Sequence, residues 1–101
     1  MENNFTYASV LSKKALKEIA VSWSWYEERL QYLGDRFVEE VKKTIIKIEE
    51  NPHRYATKYK SYRQASVDTF PFLVIFRITE RKKIVRIVSV FHTSRNPDKK
   101  Y

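Results

Sequence analysis

The second half of the chain is dense in strand-forming residues and decides the fold. Three runs follow one another: YRQASVDT at 62–69, FPFLVIFRI at 70–78 and IVRIVSVFHTSRNP at 84–97. The second and third runs are rich in β-branched and aromatic residues, which favour a pleated and partly buried surface. The charged segment at 79–83 predicts a hairpin loop between them. The sequence therefore predicts three strands of one sheet.

Alternation along these strands predicts which side chains share a face. In the middle strand we expect one face to carry Phe72, Val74, Phe76 and Ile78, and the other to carry Leu73, Ile75 and Arg77. In the last strand we expect Ile84, Val88 and Val90 on one face, and Val85, Ile87 and Phe91 on the other. Because both faces are apolar, both are expected to be covered at least in part.

Upstream, apolar residues recur every three or four positions, which predicts two helices. The first stripe consists of Leu16, Ile19, Trp23, Tyr26, Leu30 and Leu33, and Ser12 is expected to be the N-cap. Gly34, the only glycine in the chain, is expected at the left-handed position that ends this helix. The second helix is expected to begin near Asp35 and to end at Asn51-Pro52, with a stripe of Phe37 or Val38, Val41, Ile45 and Ile48.

The order of these elements predicts an α+β domain spanning residues 1–101. A short N-terminal strand is expected near residues 4–8, and residues 53–60 are expected to form a basic loop. Two helices with a tight join predict an antiparallel helical hairpin. The predicted architecture is β-α-α-β-β-β, with this hairpin packed on a mostly antiparallel sheet. A length of 101 residues leaves no room for a second core.

Charge and composition limit the partners of this domain. The net charge is +8, and the basic excess belongs to residues 52–101, because residues 11–51 are balanced. This field suits either a solvated surface or an anionic partner, namely nucleic acid or an acidic protein segment. The chain has no cysteine, which fits a reducing cytoplasm, and we expect no signal peptide and no membrane span.

The sequence contains few residues from which a catalytic or metal-binding site could be built. The sequence lacks a glycine-rich phosphate loop and a cluster of metal ligands, so we expect no cofactor and no metal. Catalysis, if present, would be metal-independent RNA cleavage by His92, Arg63 and Arg95, which supply a proton-transfer group and cations. The structural interpretation is that His92 ends a strand, Arg63 holds backbone carbonyls and Arg95 belongs to a turn. Trp25 lies off the helical stripe. It is expected either to be a partly exposed aromatic that covers its neighbours or to be a docking position for a partner.

The chain closely resembles the RelE/ParE superfamily of bacterial toxins, the toxic halves of type II toxin–antitoxin modules. The resemblance covers nearly the whole chain and rests on an ordered set: Ser12-x-x-Ala15, Trp25-Tyr26, Phe37, Asn51-Pro52, Arg63, Phe70-Pro71-Phe72 and Val90-x-His92-x-x-Arg95-Asn96-Pro97. It implies a helical hairpin on an antiparallel sheet. It also implies an antitoxin partner that wraps and neutralises the toxin in a heteromeric complex.

The resemblance favours the ParE-like branch, whose members poison DNA gyrase, over the RelE- and YoeB-like branch, which cleaves mRNA on the ribosome. Phe72 stands where the nuclease branch usually has an arginine. Thr93 stands in place of a second arginine of that branch, and Lys99 stands in place of its tyrosine. Lys58 and Lys60 stand near that branch's lysines, and Tyr101 is a possible substitute for its tyrosine.

The sequence thus predicts a toxin that inhibits growth by binding an essential target, DNA gyrase, and it leaves open whether the protein is also an enzyme. The alternatives are a ribosome-dependent endoribonuclease and a non-toxic basic nucleic-acid-binding module. The residues expected to contact the target or the antitoxin are Trp25, Lys58, Lys60, Arg77, Arg86, His92 and Arg95.

Overall fold

A computed structural model of the chain describes residues 6–95 and 100–101. The helices are α1 (Lys13–Arg29) and α2 (Leu33–Glu50). The strands are β1 (Ala8–Leu11), β2 (Thr57–Tyr59), β3 (Tyr62–Ser66), β4 (Phe72–Thr79) and β5 (Ile84–His92). Single 3-10 turns lie at Pro52–Arg54 and Glu80–Lys82.

The strands form one sheet in the order β1-β5-β4-β3-β2. β1 pairs with β5 in parallel, and the other neighbours pair antiparallel. The predicted α+β fold, with a helical hairpin on a mostly antiparallel sheet, is confirmed. The opening strand lies at 8–11 instead of the predicted 4–8, of which Asn4 and Phe5 fall outside the described residues.

The loop predicted at 53–60 was wrong in part, because β2 lies within it. All three residues of β2 are exposed, so this edge strand has no buried alternation from which it could be recognised.

The core lies between the helical hairpin and one face of the sheet. Its helical members include Ala15, Phe37, Val41 and Ile48, and its strand members include Phe72, Val74, Phe76, Val85, Ile87 and Val90. The face predicted for β4 is therefore confirmed. The helices contribute the complementary layer, which buries the apolar surface of both elements.

The faces predicted for β5 were wrong, because a bulge interrupts the alternation. Ile75 pairs with Ser89 while the adjacent Phe76 pairs with Ile87, so Val88 has no partner in the register. One extra residue reverses the alternation beyond it. Val90 therefore joins Val85 and Ile87 in the core.

The opposite face of the sheet is also partly covered, as its apolar residues predicted. Ile75 and Phe91 are fully buried although they lie outside the main core cluster. The Lys100 ammonium lies 5.8 Å from the Phe91 ring and donates to Gln64 Oε1 at 3.4 Å. Lys14 Nζ in turn donates to the Lys100 carbonyl at 3.2 Å. The end of the chain thus supplies some of this cover.

The caps of the two helices are side chains that also join elements. Ser12 Oγ accepts from the Ala15 amide at 3.0 Å, which confirms the predicted N-cap, and donates to the Val88 carbonyl at 2.9 Å. The Glu27 carboxylate accepts from the Gly34 amide at 2.7 Å and so caps α2 from the end of α1.

Two details predicted for the hairpin were wrong. Tyr32 is the residue in the left-handed conformation, with φ of 71°, whereas Gly34 lies inside α2. The stripe predicted for α1 was also displaced, since Leu16 and Leu30 are 55% and 61% exposed. The face of α1 that meets the core carries Ala15, Ile19 and Tyr26.

Candidate interaction groove and basic sheet face

A groove runs between α1 and the ends of β4 and β5. It has two adjoining parts of about 580 and 440 Å³, which share Val21, Ser22, Phe72, His92 and Arg95. The first part is completed by Trp25, Tyr26, Pro71 and Ser94, and the second by Lys14, Lys17, Glu18 and Val90. The groove therefore has an apolar, aromatic end and a basic end.

Trp25 forms one wall of the apolar end. It is 50% exposed, as expected for a residue off the helical stripe, and the Arg29 guanidinium lies 3.6 Å from its ring centroid. Its ring packs edge-on against Tyr26 at 5.1 Å. Tyr26 packs in turn against Phe37, Phe70 and Phe72, and burial raises the pKa of its phenol. Trp25 thus presents an exposed indole that rests on an aromatic cluster.

His92 ends β5 and lies at the floor of the groove. Its ring is 4.9 Å from that of Phe72, its partner across the strands. Nδ1 accepts from the Ser94 amide at 3.1 Å, and Ser94 Oγ lies 2.7 Å from it. A backbone amide only donates, so Nδ1 is the acceptor in this contact and Nε2 takes no part in it. The tight turn 92–95 therefore uses one of the two ring nitrogens.

The charge of Arg95 is already neutralised within the chain. Its Nη1 donates to Glu18 Oε2 at 2.8 Å. The other Glu18 oxygen accepts from Ser89 Oγ at 2.8 Å and from the Val90 amide at 2.9 Å. The Glu18 side chain is only 10% exposed and that of Arg95 is 44% exposed, so the carboxylate is shielded from water while the guanidinium is partly open to it. Glu18 thus holds α1, the strand beyond the bulge and the 92–95 turn together.

Arg63 does not reach this groove. Its Nη1 donates to the Tyr55 carbonyl at 2.5 Å, the backbone-holding role given by the structural interpretation. Arg63 pairs with Phe76 on one side of β4, whereas His92 pairs with Phe72 on the other. Four residues along the strand and two strand spacings separate their backbones by roughly 16 Å. The structure brings His92, Arg95 and Trp25 together but not Arg63.

Of the other predicted contact residues, Arg77 and Arg86 lie on the sheet face turned away from the helices, whereas Lys58 lies in β2 and Lys60 in the turn after it. Arg77 and Arg86 pair directly across β4 and β5. The Arg86 Nε donates to Thr79 Oγ1 at 3.3 Å, and the Arg77 guanidinium lies 6.0 Å from the Tyr62 ring. Lys60 lies near the Tyr59 ring, and Lys58 is exposed. Within the described residues none of these four takes part in an ion pair.

Sequence reasoning missed Glu18 and Ser94. Glu18 follows Ala15 by three positions and lies on the same side of α1, so an acidic residue beside the buried stripe was the available signal. Nothing in the sequence pairs it with Arg95, which lies 77 positions away.

Within residues 6–95 and 100–101, no group of three His, Cys, Asp or Glu side chains is placed to hold a metal ion. No helix in this part of the chain combines the length and the apolar character that a membrane span needs.

The same fold is found in solved chains from toxin–antitoxin systems. A chain of the chromosomal ParDE toxin–antitoxin system of Pseudomonas aeruginosa superposes with a TM-score of 0.75 at 12% identity, covering 91% of this chain and 100% of that one. A chain of the RelBE2 complex of Mycobacterium tuberculosis gives 0.67 at 14%, covering 94% and 100%. A chain of the RelBE complex of Escherichia coli gives 0.61 at 16%, covering 88% and 99%.

The sequence match defines a narrower group of proteins than the shared fold does. The family model for the ParE toxin of the parDE type II toxin–antitoxin system matches residues 10–97. The chain therefore belongs to the ParE toxin family, as the resemblance predicted. The comparison with curated protein sequences gave no significant match.

Proposed function

We propose that this protein inhibits growth by binding DNA gyrase in the cytoplasm, and that a cognate antitoxin neutralises it in a heteromeric complex. Membership of the ParE family is the observation that carries the proposal. The solved ParDE and RelBE chains are parts of toxin–antitoxin systems, which supports the antitoxin partner.

The geometry of the groove supports binding over cleavage. Metal-independent cleavage of RNA needs a base, an acid and free cations around one phosphate. Here Arg95 is paired with Glu18, Arg63 is bonded to the Tyr55 carbonyl far from His92, and Phe72 offers no charge. Of the residues predicted for catalysis, only Arg95 lines the groove with His92, and its guanidinium is engaged by Glu18. A groove with an apolar, aromatic end is suited to bind a partner through shape complementarity and the burial of apolar surface.

The decisive experiment compares two targets of the same purified toxin. We expect it to block supercoiling by gyrase and to leave translation and mRNA intact in a cell-free extract. Lys43→Ala, an exposed change on α2, serves as the matched control and should inhibit gyrase equally. Unchanged supercoiling together with halted translation would show that the gyrase proposal is wrong.

The same extract tests the nuclease alternative directly. If mRNA is cleaved, His92→Ala should abolish the cleavage in a protein whose thermal melting shows an intact fold. Cleavage that depends on His92 would establish the ribosome-dependent endoribonuclease, and no cleavage at all would exclude it.

A further inference from the structure

Three tyrosines form an aromatic platform on the sheet face opposite the helical hairpin. Tyr59 and Tyr62 lie nearly parallel, at an interplanar angle of 10° and with ring centroids 6.5 Å apart. Tyr101 rests on both, at 4.7 Å from Tyr59 and 4.9 Å from Tyr62. Tyr59 and Tyr101 are 47% and 39% exposed, so ring surface remains open to a ligand.

Cations surround this platform. The Lys60 ammonium lies 5.3 Å from the Tyr59 ring centroid, and the Arg77 guanidinium lies 6.0 Å from that of Tyr62. Arg86 lies beside Arg77 on the neighbouring strand, and Lys100 adjoins Tyr101 in the chain. Two like charges directly opposite each other on a sheet repel. An anion that bridged Arg77 and Arg86 would remove that cost.

No acidic side chain balances these cations within the sheet. The five strands of the described structure contain no Asp or Glu, and neither does the whole segment between Glu50 and Asp68. The nearest acidic residue along the chain from Arg77 is Glu80, which is engaged with Tyr7, His53 and Lys83. The platform is therefore aromatic and basic throughout.

We propose that this face binds single-stranded nucleic acid, with Tyr59 and Tyr62 stacking bases and with Lys60, Arg77 and Arg86 contacting phosphates. Unpaired bases stack on exposed aromatic rings, and a surrounding basic surface follows the backbone without reading sequence. Tyr101 occupies the position on the two rings where a base would stack. A bound base therefore displaces Tyr101.

Single-stranded nucleic acid suits this face better than the other anionic ligands do. A duplex keeps its bases stacked inside and would use only the cations. An acidic peptide would also use only the cations and would leave the ring faces unused. The proposal goes beyond gyrase inhibition, because it assigns a nucleic-acid ligand to the sheet face opposite the helical hairpin.

Fluorescence anisotropy with labelled oligothymidylate and oligouridylate tests the site in the purified full-length chain. Replacing both Tyr59 and Tyr62 by Ala should weaken binding roughly 30-fold or more, because each of the two lost stacks costs about 1–3 kcal/mol. The matched Tyr→Phe pair keeps the rings and should bind as the wild type does. Tyr101→Ala should bind more tightly, because it removes the competing ring.

Comparing Arg77→Glu with Lys43→Glu distinguishes the contribution of this sheet face to binding from that of the net charge. Both change the net charge equally, but only Arg77→Glu should weaken binding strongly and lower its salt dependence. Thermal melting establishes that each variant is folded. Gyrase inhibition by the variant with both Tyr59 and Tyr62 replaced by Ala gives a readout that is independent of nucleic-acid binding.

Several outcomes would overturn the proposal. Equal affinity of the Ala and Phe pairs would show that the rings do not stack bases. Equal affinity for a duplex, or for a polyglutamate of matched charge, would show a general anion surface or an acidic protein site. Weaker binding by Tyr101→Ala would show that Tyr101 is part of the site and does not compete for it.

Discussion

At the scale of single residues, Glu80 connects three distant parts of the chain. Its Oε1 accepts from the Tyr7 hydroxyl at 2.9 Å and lies 3.5 Å from Lys83 Nζ, while its Oε2 pairs with His53 Nε2. The Tyr7 hydrogen bond, followed by His53 and Lys83, lowers the pKa of Glu80 below its ordinary value of 4.5. This cluster fastens the segment before β1 and the turn after α2 to the β4–β5 hairpin.

The lowered pKa gives a prediction with a definite sign. A carboxylate whose folded pKa is depressed stabilises the fold above its unfolded pKa, and this contribution is lost as the pH falls through the folded value. Glu80→Gln should therefore melt below the wild type at neutral pH, and the difference should vanish in acid well below pH 4.5. Melting curves across that range give the measurement. Glu39→Gln, an exposed change on α2, is the control; a gap between Glu80→Gln and wild type that is independent of pH would contradict this account.

At the scale of elements, the close packing of α1 on α2 depends on Gly34. A Cβ at this position would lie 2.6 Å from the Trp23 carbonyl oxygen and 2.7 Å from Trp23 Cδ1. The indole is held in place, because Trp23 Nε1 donates to Asp35 Oδ1 at 2.9 Å. The glycine is needed for the approach of two helices and has no part in ending one.

Gly34→Ala should accordingly destabilise the protein. Helix propensity alone favours alanine by about 1 kcal/mol, whereas forcing a methyl group into a filled space costs about 1–3 kcal/mol. We expect the steric cost to dominate, because the carbonyl oxygen belongs to a helical backbone that cannot turn aside. Urea denaturation gives the free energy of unfolding, with Lys42→Ala on the exposed side of α2 as the control. An increase in stability would show that the helices separate easily.

The elements differ in how far the sequence could predict them. Strong periodicity predicted both helices and the inward face of β4, because burial of one side imposes that pattern. The prediction of which β5 residues face the core failed beyond Val88, because a bulge cannot be recognised from composition. Of the site, Trp25, His92 and Arg95 were predicted as separate residues. The pairing of Glu18 with Arg95 depends on tertiary structure and has no local signal.

At the scale of the whole molecule, two unlike surfaces lie on opposite sides of the sheet. The groove beside α1 is apolar at its Trp25 end, and its Arg95 is neutralised by Glu18. The far face carries Arg77 and Arg86 without an acidic partner in the described sheet. A single antitoxin that covers both must therefore bring an apolar segment to one side and acidic residues to the other.

These two contacts should have different kinetic signatures. Trp25→Ala should raise the dissociation rate of the antitoxin complex by an amount equivalent to about 2 kcal/mol or more, with little dependence on salt, because buried anchors act mainly after docking. Arg86→Glu should chiefly slow association, and its effect should shrink at high salt because exposed charges act on the encounter. Leu30→Ala, an exposed apolar change on the same hairpin, and Lys43→Glu are the respective controls. Surface plasmon resonance at low and high salt separates the two rates, and unchanged affinity for both Trp25→Ala and Arg86→Glu would place the antitoxin elsewhere on the molecule.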